Sequence, residues 1–127
     1  MASILRVNTL TDASSNNSIA TSVLHNGSAK AWFNINQEGT QAFRDSYNFS
    51  SLSDDAVGVT SVVYTSNMNN ANYAAGSMAK DETGGDFAII RFSTNVLTTG
   101  FTFVGEDEEN NNIDCNTATA SVDGDLA

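Results

Sequence analysis

The chain has no proline, so no segment is barred from strand pairing by a missing backbone donor. It has a single cysteine, Cys115, and a single histidine, His25. Cys115 therefore has no internal disulfide partner, and a lone thiol of this kind packs as a small hydrophobe. One histidine without a cysteine cluster does not assemble a zinc site of the usual kind. Basic residues are scarce, five against fifteen acids, for a net charge of −10. A nucleic-acid binder draws its affinity from Lys and Arg meeting phosphates, and adhesion to anionic membranes needs the same residues. Both classes are excluded, and the acidic excess reads as solubility through mutual repulsion. No apolar run approaches the ~20 residues of a membrane span. Met1–Leu5 lacks the charged start and continuous apolar run of a signal peptide. The expectation is a soluble product made in a cytoplasm.

What is present points to strands. Length fits one domain with a single core, and the abundant Asn, Ser, Thr, Asp and Gly favour turns and strand exteriors over helices. The centre of the chain is Ala29–Ser50. Ala31, Phe33 and Ile35 alternate with Lys30, Trp32, Asn34 and Asn36, the period that turns one face inward. Gln37–Thr40 supplies a polar, glycine-containing turn. The return strand carries Phe43, Tyr47 and Phe49 on one face, with Asp45 breaking the pattern.

Around this hairpin, Ser3–Ala20 reads as a polar leader with a β-hairpin tendency, turning at Asp12–Asn17. Thr21–Asn26 reads as a short strand closed by Asn26-Gly27, and Ser50–Gly58 as a polar turn. Val59–Ser66 is a strand with Thr60, Val62 and Tyr64 on one face. Met68 and Tyr73 anchor an irregular corner before a small-residue strand, Tyr73–Lys80, and Asp81–Asp86 is a hairpin tip. Phe87–Ser93 and Phe101–Gly105 are strands, Glu106–Asn112 an acidic loop, Ile113–Val122 a final strand and Asp123–Ala127 a tail. Short strands at spacings of about ten residues indicate a sandwich or barrel. The expected core is Phe33, Ile35, Phe43, Tyr47, Phe49, Val62, Tyr64, Phe87, Ile89 or Ile90, Phe101 and Phe103.

Catalytic chemistry has little to build on. His25 reads as a surface turn residue without a nucleophile beside it, and Asp114-Cys115-Asn116 lacks the base that activates a thiol. Glu106–Glu109 and the asparagines after it offer calcium-type oxygens, but not in the spaced, glycine-pivoted order of a loop motif. A solvated acidic loop is the expectation. Trp32 shares the outer face with Lys30, Asn34 and Asn36. Three explanations stand: burial under strand twist and a covering loop, burial against another subunit, or stacking on a sugar.

The stretch Ala29-Lys30-Ala31-Trp32-Phe33-Asn34-Ile35-Asn36, followed by Arg44-Asp45-Ser46-Tyr47-Asn48-Phe49-Ser50-Ser51-Leu52 and Asp54, resembles a domain of tailed-phage virion proteins, especially marine ones, found in tail fibres and related appendages. Gly58, Val62, Tyr64, Thr65, Met68, Asn72 and Tyr73 stand where that family continues, and the leader Ile4–Ser14 is similar to the start of such proteins. The chain departs from the pattern twice. Gln37-Glu38 intervenes before Gly39 where a glycine usually comes soon after the Asn36 position, and Thr60 takes a place where an aromatic is common.

Together these features give an expected fold and role. The fold is an all-β, single antiparallel β-sandwich, jelly-roll-like, of about seven to eight strands. Residues 1–20 form an extended N-terminal attachment arm and residues 21–127 the sandwich domain. The resemblance implies a virion location and a phage structural protein, a non-enzymatic subunit of a tail fibre or tail appendage. It would act by homo-oligomeric assembly, with a trimer favoured, with other virion proteins as partners and a host-surface glycan as a further contact. A capsid decoration protein and a carbohydrate-binding module are the alternatives. The interface candidates are Ile4, Leu5, Val7, Leu10 and Trp32. No cofactor, metal, nucleic acid or membrane enters this reading.

Overall fold

The computed structural model describes residues 6–15, 17–81 and 88–127. Expectations placed on Ile4, Leu5, Phe87 and positions 82–86 lie outside the described residues. Among those described, the leader forms β1 (Thr9–Thr11) and β2 (Ser18–Ala20), followed by a helix, α1 (Thr21–Gly27). The strands β3 (Ala31–Asn36), β4 (Ala42–Tyr47), β5 (Phe49–Ala56), β6 (Val59–Tyr64), β7 (Ala74–Lys80), β8 (Ile89–Leu97), β9 (Gly100–Glu106) and β10 (Thr117–Asp123) follow. They make two four-stranded antiparallel sheets, ordered β4-β3-β10-β7 and β5-β6-β9-β8. The fold is the all-β sandwich that the alternation indicates. Its eight strands are joined by the two of the leader hairpin, which brings the described chain to ten. The chain changes sheet after β4, β6, β7 and β9, and turns back within a sheet elsewhere in the sandwich.

The core lies between the sheets, around a cluster of aromatic rings. Phe33 stacks on Phe103 at a centroid distance of 5.3 Å and meets the edge of Phe49 at 5.4 Å. Phe101 joins this group and takes Phe92 edge-on at 5.1 Å. Ile35, Val62, Tyr64, Met68, Tyr73, Ile90 and Val122 are buried around the rings. Phe43 and Phe49 are half-buried against the same cluster. Thr60, Val62 and Tyr64 do share an inward face of β6.

Of the alternatives Ile89 and Ile90, Ile90 takes the inward place and Ile89 is exposed. One expected core residue lies outside the core. Tyr47 is 54% exposed, and a β-bulge is the reason. Ile35 pairs with Phe43 and Asn34 with Asp45, so Arg44 is an extra residue in β4. That insertion exchanges the faces beyond it. Phe33 then pairs with Ser46, while Tyr47 stands opposite Trp32 on the outer face.

Three segments differ from the sequence reading. Ser50–Gly58 is largely an eight-residue strand, β5, not a turn. As an edge strand it needs only Phe49 and Leu52 to face the core, so its polar composition hides it. Thr21–Gly27 is helical rather than extended. Adjacent Val23 and Leu24 carry no period-two signal, and Lys30 binds the carbonyls at the helix end. The last residues are not a loose tail. Leu126 bridges to Met68, and Asn69 N–H donates to the Asp125 carbonyl at 2.8 Å.

One connection between the sheets is a single residue. Asn48 lies between β4 and β5 with φ of 61°, a left-handed conformation that Asn tolerates better than most residues. Its amide donates to the carbonyls of Lys30 and Ser66 and accepts from Ser66 N–H at 2.7 Å. The chain thereby turns a corner without leaving buried polar groups unpaired.

Removing the Phe33 ring should cost about 3–5 kcal/mol, the usual range for a buried Phe truncated to Ala. Tyr47→Ala, on the exposed face, should change stability by about 0.5 kcal/mol or less. Urea unfolding of the two variants measures the contrast. Equal effects would place the bulge elsewhere.

Candidate assembly surfaces

The residues with chemical potential are dispersed. His25 lies in α1, where its Nδ1 is 3.1 Å from Asn26 Oδ1. Cys115 is fully buried, and burial pushes its thiol up to about 11. Such a thiol holds almost no thiolate near neutral pH. In the acidic loop, Asp107 is occupied by its own turn. Its carboxylate accepts from the backbone N–H of Glu109 and Asn111 and from the Asn111 amide, at 2.8–3.0 Å. These bonds hold the Asp107 carboxyl below the ordinary carboxylate range. Among the described residues no group of three or more His, Cys, Asp or Glu is arranged to hold a metal ion.

Glu106 at the end of β9 takes a bidentate hydrogen bond from Arg91 on β8, Nε to Oε2 at 2.8 Å and Nη2 to Oε1. The Arg91 guanidinium lowers the Glu106 carboxyl from its ordinary value.

The leader is a different kind of surface. Thr21 N–H donates to the Asn8 carbonyl, and the Thr21 hydroxyl contacts the Val7 and Asn8 carbonyls. These bonds tie α1 to the hairpin. β1 and β2 pack chiefly on each other and on α1, and among the described residues the core cluster contains none before Ala31. Val7, Leu10, Ile19, Val23 and Leu24 are all exposed. Of the candidates, Val7 and Leu10 are therefore exposed apolar residues on the polar leader.

The Lys30 side chain joins this unit to the start of the sandwich. Lys30 is buried, and its ammonium donates to the His25 carbonyl, to the Ser28 carbonyl at 2.8 Å and to Ser28 Oγ at 3.0 Å. A cation at the C-terminal carbonyls of a helix meets both unpaired acceptors and the negative end of the dipole. Nothing in the local sequence marks Lys30 for this role, since by alternation it reads as an outward residue.

Trp32 stands on the outer face of the first sheet, 38% exposed. Its row runs Tyr47, Trp32, Ser121, Gly76 across β4, β3, β10 and β7. No described loop buries it, so the covering-loop explanation falls away while the subunit and sugar explanations keep their surface. Tyr47 is the residue that sequence reasoning missed here. An odd spacing around Asp45 was its only signal.

A carboxyl lowered in the folded state stabilises the fold above its unfolded value, 4.5 for Glu106, and that contribution is lost as pH falls through the lower folded value. Wild type should therefore unfold at a higher temperature than Glu106→Gln at pH 7, and the gap should close as pH falls below 4.5 and through the lower folded value. A gap independent of pH would mean that Glu106 acts through packing alone. Compared with known proteins, the chain matches no family model, no curated protein and no solved structure.

Proposed function

We propose that the chain is a structural subunit of a tailed-phage virion, part of a tail fibre or tail appendage, held in the particle through its N-terminal leader. The observation that carries the attachment is the leader's uncovered apolar surface. A two-stranded hairpin alone is marginal in water, and β1–β2 with a seven-residue helix buries no core of its own. Among the described residues nothing buries Val7, Leu10, Ile19, Val23 and Leu24, and a second chain docking there would gain that burial. The sandwich has a complete aromatic core and needs no such help. The phage class rests on the resemblance carried by Ala29–Asn36 and Arg44–Asp54.

On this reading the work is mechanical. The leader docks by apolar burial and by main-chain pairing to a partner's sheet edge, while the acidic sandwich projects into solvent. A truncated chain beginning at Thr21 should keep nearly the full melting temperature and fail to co-sediment with particles, whereas the full chain does. Co-sedimentation of the truncated chain would overturn the attachment. Failure of that chain to fold would make the leader part of the domain.

A second reading, a carbohydrate-binding module, draws on the neighbouring exposed rings of Trp32 and Tyr47. It expects Trp32→Ala to abolish binding on a glycan array with assembly unchanged. Unaltered glycan binding by that variant would remove it.

A further inference from the structure

The sandwich presents four edge strands, β4 and β7 on one sheet and β5 and β8 on the other. An open edge invites another strand unless a bulge, a charge or a proline spoils it. Three of the four are spoiled. β4 carries Arg44, Asp45 and its bulge. β5 carries Asp54, Asp55 and two breaks in register. β8 carries Arg91 and a break between Phe92 and Val96. β7 has no bulge and no charge along its length before its last residue. It pairs with β10 without a shift from Ala74 to Lys80, and Lys80, at its end, is its one charged residue. Among the described residues no strand pairs with β7 on the side away from β10.

We propose that β7 pairs antiparallel with β7 of a second copy, centred on Ser77, joining two four-stranded sheets into one of eight strands. The side chains set that register. With Ser77 opposite Ser77, Gly76 faces Met78, Ala75 faces Ala79 and Ala74 faces Lys80, and opposed residues share a face. Met78 is 78% exposed on the outer face. Gly76 lies on the same face, and a Cβ there would meet nothing within 4 Å. Each Met78 thioether thus enters the shallow depression over Gly76, Thr119 and Ser121 of the other copy. A slip of two residues sets Met78 against Met78 or Ala74 and loses the fit.

Charge selects a second copy as the occupant. Asp123 on β10 is paired with Ala74 on β7, and the proposed register continues this row with the second copy's Lys80. Two strand spacings, about 10 Å between Cα atoms, separate Lys80 from Asp123 across the small Ala74. A lysine side chain spans that gap toward a carboxylate. Symmetry produces the pair twice, placing two cations at the junction of chains that each carry −10. The joint is two-fold and leaves the leader free, so it is independent of the leader's attachment to the particle.

Sedimentation of the full chain should give a species of twice the 13.4 kDa protomer mass. Lys80→Glu should weaken dimerisation at least about tenfold, and Lys80→Glu with Asp123→Lys should restore it. Gly76→Val, which has room in the isolated fold, should weaken the dimer while leaving the unfolding midpoint of the protomer unchanged. A chain that stays monomeric at about 100 μM, a concentration that populates even weak complexes, overturns the proposal. So does a dimer indifferent to Lys80→Glu and Gly76→Val. A dimer that disappears on removing residues 1–20 also overturns it, because the leader would then hold the copies together; co-sedimentation with particles reads the leader separately.

Discussion

The buried amide of Gln37 is the contact on which one end of the sandwich depends. Its Nε2 donates to the Gly58 carbonyl at 3.2 Å and to Thr60 Oγ1 at 3.0 Å, and its Oε1 accepts from Cys115 N–H at 3.0 Å. Gln37 N–H in turn donates to the Cys115 carbonyl. One side chain thus ties the loop after β3 to the start of β6 and to the approach to β10, spanning both sheets. Buried polar groups are costly unless satisfied and specify one arrangement when they are. Around this amide the backbone closes tightly. Gly58 has φ of 70°, and a Cβ there would lie 2.8 Å from the Gly105 and Ile113 backbones. Its N–H donates to Asp114 Oδ1 at 2.6 Å. Only glycine fits where three connections meet.

Gln37 and Thr60 bond to each other inside the fold. The Thr60 side chain is buried, and its hydroxyl also donates to Gln41 Oε1 at 2.7 Å. These directional bonds narrow the geometry of the loop between β3 and β4.

Features set by the period of two are legible in the sequence, and features set by strand pairing are hidden there. Phe33 and Ile35 alternate cleanly, and they are buried; Val62, Tyr64, Phe101 and Phe103 are equally plain. Tyr47 misleads because a bulge is a property of two strands, and the extra residue Arg44 shows only when β3 lies beside β4. β5 escapes because an edge strand has one partner and few inward residues. Its serines and aspartates look like a turn until Ser61 Oγ is seen to bond Asp55 at 2.5 Å across the pair. Of the interface candidates, Leu10 and Trp32 are readable as apolar residues in polar surroundings. Tyr47, Met78 and the Lys30 clasp depend on register and on a helix that propensity does not announce.

The absence of proline acquires meaning only with the sheets in view. A chain without proline must guard its edges by other means, and here the means are charges and broken register. Those devices stand on β4, β5 and β8. β7 is built instead from Ala, Gly, Ser and Met with one terminal Lys, and its ladder to β10 is regular. An acidic molecule gains separation from its copies almost everywhere on its surface. On the proposed pairing, contact between copies falls where acids are few, and the regular edge, with Lys80 at its end, is such a place. The same physics acts on the leader, whose exposed apolar residues include no acid between Arg6 and Thr11. Repulsion over most of the surface sharpens the choice among the few contacts that remain. A strongly acidic subunit can in this way assemble in one geometry with modest interfaces.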